Sequence, residues 1–174
     1  GGGPGMVLRA DVIDTAINNC FKKNRPLIYF SPKGKPLNQD TIEKFSLTKG
    51  VSIICGHFEG IDQRIIDLHD IEEISIGDYI LSGGEIATIV FLDSLVRLLP
   101  DVLGNDNSKK IETFTDGLLE YPQYTKPNEF KGMKIPDILL SGNHKAIKEW
   151  QENQALSLTK LRRPDLIDKK KDKI

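Results

Sequence analysis

No stretch of this chain approaches the roughly 18 consecutive apolar residues of a membrane span, and no basic segment leading into an apolar core stands near its start. Neither a transmembrane helix nor a secretory signal is expected, and the expected compartment is the cytoplasm. Cysteine is scarce: Cys20 lies in an apolar helical pattern and Cys55 in an apolar strand-like run, without CxxC or Cys/His spacing. Reduced, buried thiols fit that pattern better than disulfide staples or a zinc site. His57, His69 and His144 are scattered, without HExxH or HxxxH spacing, so no catalytic metal cage is expected. GxSxG is missing, and with it the basis for nucleophilic acyl chemistry. GxGxxG and GxxxxGK[ST] are missing too, which removes a Rossmann dinucleotide site and a Walker P-loop.

What is present is a globular composition: 174 residues, 39% hydrophobic and 28% charged. That length holds one ordinary domain, or one domain with a small appendage. The net charge of −1 conceals a segregation. Between Gly56 and Asp93, Arg64 is the one Lys or Arg among many Asp and Glu, whereas Leu158 to Ile174 carries seven Lys and Arg against three Asp. The tail RRPDLIDKKKDKI reads either as a solvated end or as a contact for a polyanion.

Leu8, Val12, Ile13, Ala16, Ile17, Cys20 and Phe21 recur at helical spacing and predict an amphipathic helix from about Leu8 to Phe21. Two short apolar runs, LIYF bounded by SPKGKP and VSIIC ending at Gly56, read as buried strands. Between them a helix over about Gln39 to Phe45 is capped by Asn38 or Asp40. Strand, helix, strand implies a parallel sheet. A short helix near Asp62 to Asp67 and a third strand, IEEISI, follow. IATIVFLDSLVRLLP is apolar on nearly every face, and such a helix needs burial on all sides, so a second subunit is expected to cover it. GNDNSKK reads as a mobile linker. The boundaries expected are 1–103 for the first domain, 104–115 for the linker and 116–174 for a small, mainly helical module, in which Trp150 anchors a helix capped near Ser141 or Asn143.

Four glycine-bearing segments carry the chemical interest: GGGPGM, GHFEGID, SIGDYILSGGE and SGN. Two directly follow predicted strands, where loops of an open α/β sheet line the ligand crevice and glycine lets the backbone approach a flat ligand. Tight turns alone would also account for each glycine taken singly. Glu59, Asp62, Asp78 and Glu85 lie in or beside these segments. A negative crevice suits a cationic ligand such as S-adenosylmethionine and disfavours a bare polyphosphate; solvated surface carboxylates are the plain alternative. Arg97, near the end of the apolar helix, must either snorkel outward or meet an anion.

Taken in order, GGGPGM, YFSP, CGHFEGID, SIGDYILSGGE, GLLEYPQYTKP and ILLSGNH resemble the bacterial tRNA (guanine-N1)-methyltransferase family (TrmD) of the SPOUT superfamily, over nearly the whole chain. The resemblance implies an α/β domain with a deep trefoil knot, followed by a helical C-terminal domain. GGGPGM is internal in that family, so the chain is expected to lack the family's first strand and helix. It implies homodimers with a site shared between subunits, and methyl transfer from S-adenosyl-L-methionine to N1 of the tRNA guanosine immediately 3′ of the anticodon.

By position, the resemblance assigns the cofactor to Tyr29, Phe30, Ser31, Pro32, Gly56, Phe58 and Glu59, and to Ser75, Ile76, Gly77, Asp78, Tyr79, Ile80 and Leu81, with Ser82, Gly83 and Gly84 completing the knot loop. Arg97 matches the arginine that contacts the target guanine. The family's base is an aspartate, and Glu112 stands at that position, one methylene longer; Asp116 is a rival. The family also uses Mg²⁺, for which the sequence shows no placing motif. Lys126, Lys145, Lys148 and the basic tail are expected to bind the RNA backbone. A SPOUT enzyme with another RNA target and a non-catalytic RNA- or cofactor-binding protein remain the competing readings.

Overall fold

The structure, a computed structural model, describes residues 5–100, 102, 113–114 and 117–171, with side chains as far as residue 167. The chain divides into two compact units, Gly1–Gly104 and Asn105–Ile174.

The first unit runs α1 (Ala10–Cys20), β1 (Leu27–Pro36), α2 (Gln39–Ser46), β2 (Ser52–Ile54), α3 (Gln63–Leu68), β3 (Glu72–Ser75) and α4 (Glu85–Val96). Its three strands form a parallel sheet in the order β2-β1-β3. The unbroken apolar run at the start of β1 follows from burial on both faces. Ile28 and Phe30 point to a cluster with Ile42, Phe45, Ile74, Ala87 and Phe91. Leu27 and Tyr29 point the other way, to Ile17, Ile61, Ile65 and Ile71. Helices α2 and α4 thus cover one face and α1 and α3 the other. Asn38 rather than Asp40 caps α2, its side chain accepting from the Thr41 N–H at 3.0 Å.

SPKGKP, read as a boundary, instead continues β1 as far as Pro36. Its pairing with β3 shifts register between Phe30 and Lys35, so that both residues stand opposite Ile74. The intervening residues bulge out, and at Gly34 the two backbones come so close that a Cβ would fall on Glu73 and Ile74.

Two burial expectations need correction. Cys20 is exposed and Cys55 only half-buried, its Sγ 3.3 Å from Thr88 Oγ1, although both are free thiols as expected. Val12 is also exposed, because α1 packs against the sheet along a narrow stripe centred on Ile17. Helix α4 buries only Ala87 and Phe91 within this chain. Ile86 and Ile89 are each 59% exposed, and Val90, Leu92 and Val96 are exposed beside them. One small sheet has a single face to offer this helix, so its other apolar sides stay uncovered in the single chain.

The second unit contains a hairpin of β4 (Glu129–Phe130) and β5 (Met133–Lys134), then α5 (Asp137–Leu140), α6 (His144–Arg162) and α7 (Pro164–Lys171). Asn143 caps α6, accepting from the Ala146 N–H at 3.2 Å. Trp150 packs near Tyr124, with ring centroids 6.3 Å apart. Fully buried Thr159 accepts from the Leu119 N–H at 2.9 Å and donates to the Ala155 carbonyl at 2.7 Å, pinning the preceding loop to α6.

Candidate active site

The parallel sheet directs its carboxyl ends to one side, and there the loops gather around a cleft of about 350 Å³. That volume lies in the range of small-molecule sites. Three chain segments supply most of the walls, 29–33, 56–61 and 73–84, with Asp78 outside the lining, and Gln63, Ile66 and Ala87 add to them from α3 and α4.

Each segment reaches the cleft for a local reason. Beyond Phe30 the bulge of β1 carries Ser31, Pro32 and Lys33 outward, and Ser31 Oγ accepts from the Lys33 N–H at 3.2 Å. After β2 the chain turns at Gly56, against which the Tyr29 ring is packed; an added Cβ would lie 2.6 Å from Tyr29 Cε2. Burial, with Glu73 nearby, raises the Tyr29 phenol above its ordinary pKa, so it stays neutral. Phe58 holds φ of 57°, a conformation costly for a bulky residue, and places an exposed ring at the cleft. The Glu59 N–H donates to the Met6 carbonyl at 2.9 Å, and the Leu8 N–H to Gly60 at 2.9 Å, so the segment after GGGPG is laid along this wall. Gly5, with φ of 110°, leaves room for Glu59: a Cβ there would be 2.6 Å from Glu59 Cγ. After β3, buried Ser75 folds its hydroxyl onto the backbone of Gly77, which has φ of 151°. The Tyr79 hydroxyl donates to the Ile76 carbonyl at 3.1 Å, closing the turn.

Of the four carboxylates read as a negative crevice, only Glu59 lines the cleft, joined by Glu73 and opposed by Lys33. Asp78 is exposed. Glu85 faces His57, at 2.6 Å. Asp62 caps α3, accepting from the Arg64 N–H and Nε, each at 2.9 Å. Those bonds lower the Asp62 pKa to about 2. The folded pKa is therefore depressed, and its contribution to stability is complete above the ordinary carboxylate pKa and disappears as pH falls through about 2. Asp62→Asn is expected to lower the urea midpoint at neutral pH and to flatten its fall below about pH 4, where the ordinary carboxylate begins to protonate. Denaturation midpoints across that range check this.

The structure thus brings together every cofactor position assigned above except Asp78, which borders the cleft without lining it. Arg97 caps the far end of α4 and is exposed. The 12 residues of that helix carry it about 18 Å from Gly84. Glu112, Asp116 and the linker reading at 104–115 lie outside the described residues, apart from Thr113 and Phe114. Lys33 and Glu73 were not legible as cleft residues: one stands in an apparent turn, the other on a strand whose outward face depends on the shifted register.

A model of the family described as tRNA (Guanine-1)-methyltransferase TrmD matches residues 1–169. The chain belongs to this family. Among its TrmD relatives, the tRNA (guanine-N(1)-)-methyltransferase of Bartonella henselae is 54% identical over 166 residues, covering 95% of this chain and 71% of that protein. The protein of the same name from Pelagibacter ubique is 52% identical over 171 residues, covering 98% and 75%. That of Ehrlichia canis is 53% identical, covering 97% and 73%. Within the TrmD family resemblance, the segments that meet at the cleft are YFSP, GHFEG and SIGDYILSGG. No helix among the described residues is long and apolar enough to cross a membrane.

Proposed function

We propose that this chain is a tRNA methyltransferase that moves a methyl group from S-adenosylmethionine to N1 of the guanosine 3′ of the anticodon. The observation that carries this reading is the convergence of YFSP, GHFEG and SIGDYILSGG on one glycine-walled cleft, in a chain whose relatives are named for that reaction. The residues fit the cofactor: small residues leave backbone groups accessible to an adenosine, and Glu59 and Glu73 offer negative charge to a sulfonium and an amino group. Bound there, S-adenosylmethionine supplies a methyl group made electrophilic by its sulfonium.

The protein's share of the chemistry is positioning and charge. The cleft walls hold the donor against rotation. Glu112 takes the N1 proton of the guanine, with Asp116 its rival, and Arg97 stabilises the charge that shifts onto O6. Within one chain Arg97 is remote from the cleft, but it ends the exposed apolar stripe of α4 that begins at Ile86. A homodimer that covers this stripe would bring Arg97 to the subunit boundary, in keeping with a shared site. The knotted fold is supported by the return of residues 83–84 to residues 56–57 and by the tight passage of Gly34 against β3. The domain from 116 to 174, with Lys126, Lys145, Lys148 and the basic tail, would hold the RNA backbone while the target base unstacks. For Mg²⁺, the described residues contain no cluster of three or more His, Cys, Asp or Glu able to hold a metal, and no residue is assigned to it.

The test is transfer of labelled methyl to a tRNA transcript bearing guanosine 3′ of the anticodon, beside one bearing adenosine there. Label in the guanosine transcript alone is expected. Equal label in both would point to another RNA target, and label in neither would overturn the reading for this chain.

A further inference from the structure

Two walls of the cleft are bound to each other across residues far apart in the chain. The Gly84 N–H donates to the Gly56 carbonyl at 2.9 Å, and His57 and Gly83 form an antiparallel bridge. Above this backbone contact the side chains meet as well: His57 Nε2 lies 2.6 Å from Glu85 Oε1. Glu85 is the first residue of α4, where the backbone N–H and then the imidazole favour its ionised form and lower its pKa. A carboxylate only accepts, so Nε2 is the donor. Gly83 lies beneath the pair; a Cβ there would stand 2.5 Å from Glu85 Oε2 and 2.8 Å from His57 Cε1. A side chain at Gly83 would push the pair aside.

We propose that His57 and Glu85 are positioning residues, a clasp that holds the 56–60 loop against the first turn of α4 and so keeps the cleft shaped for S-adenosylmethionine. The choice of ligand rests on the cofactor reading above. Glu85 does not line the cleft, so it acts on the ligand through His57, which lines the cleft together with its neighbours Phe58 and Glu59. The side chains are 49% and 53% exposed, and a contact so wet adds little to global stability. Its effect is on the fraction of molecules whose loop is already in place, and apparent affinity falls in proportion to that fraction.

Calorimetric titration of S-adenosylmethionine into wild type, His57→Ala, Glu85→Ala and the double variant reads the clasp. Each single change is expected to raise Kd on the order of tenfold, and the double change no further than either single, since both break one contact. Glu85→Gln, whose amide oxygen still accepts from Nε2, is expected to stay within about threefold. Without any ligand, amide hydrogen exchange should quicken at 56–60 and 83–88 in both alanine variants and stay unchanged in α1. Singles within twofold of wild type, a double equal to the product of the singles, or unchanged exchange would each overturn the clasp. Should wild type fail to bind S-adenosylmethionine, the cofactor reading falls, and the exchange measurement alone decides the clasp.

Discussion

Arg97→Ala is expected to lower kcat for tRNA methylation by about 10²- to 10³-fold, the loss typical of removing a donor aimed at charge that develops in the transition state. The affinity for S-adenosylmethionine should stay within about twofold, because Arg97 lies about 15 Å along α4 from Ala87, the cleft residue nearest it on that helix. Arg97→Lys should recover only part of the rate: an ammonium keeps the charge but loses the planar fork that can meet O6 and a neighbouring acceptor together. Single-turnover rates at saturating cofactor, set beside cofactor Kd, separate the two quantities. A rate equal to wild type in Arg97→Ala would remove the charge-stabilising role. A matched loss in kcat and cofactor binding would instead place Arg97 in the structural support of the cleft.

Gly34→Ala is expected to destabilise the first unit strongly. The substitution adds a single methyl group, yet that group would fall on the backbone of Glu73 and Ile74 rather than on a side chain able to swing aside. Relief would require β1 and β3 to part at the very point where their register shifts. Opening there would uncover Ile74, which is 1% exposed and packs in the same cluster as Phe30 and Phe91. Steric strain of this kind ranks with overpacked cores, at roughly 1–3 kcal/mol or more, and a domain has only about 5–15 kcal/mol in all. A melting temperature of Gly34→Ala lowered by about 4–8 °C for each kcal/mol of strain, with that of Lys35→Ala, an exposed neighbour on the same strand, close to wild type, checks this expectation. A wild-type melting temperature in Gly34→Ala would show that the strands can separate cheaply.

The elements that the sequence exposed best were those with a strong local period or a local chemical punctuation. LIYF could be read as a buried strand because no polar residue interrupts it, and the caps could be narrowed to Asn38 or Asp40 and to Ser141 or Asn143, of which Asn38 and Asn143 serve, because a cap is decided within three residues. The bulge of β1 was not legible: its cause is a meeting with β3, nearly forty residues away, and SPKGKP has the composition of a turn. The same limit applies to the acidic residues. Asp62 and Glu85 stand in the segments that build the cleft, but Arg64 turns one into a helix cap, and His57, 28 residues distant, draws the other into a pair. Charge counted along a chain does not record which carboxylates are already engaged by a neighbour. Helix α4 gave the opposite lesson. Its all-round apolarity was plain in the sequence, and the uncovered Ile86, Ile89 and Val90 show that a single copy of the first unit does not meet that demand.

The bond from Gly84 to Gly56 has a thermodynamic corollary. Because the cleft is walled by residues from 29 to 87, it exists only while β1, β2 and β3 are assembled together. A ligand held there has no partial version of its site to bind in an unfolded chain. Mass action then transmits its binding energy to the entire first unit: about 2.7 kcal/mol when free ligand stands at 100 times Kd. Occupancy of the cleft would thereby regulate how long this unit survives proteolysis, independently of whether any methyl group is transferred.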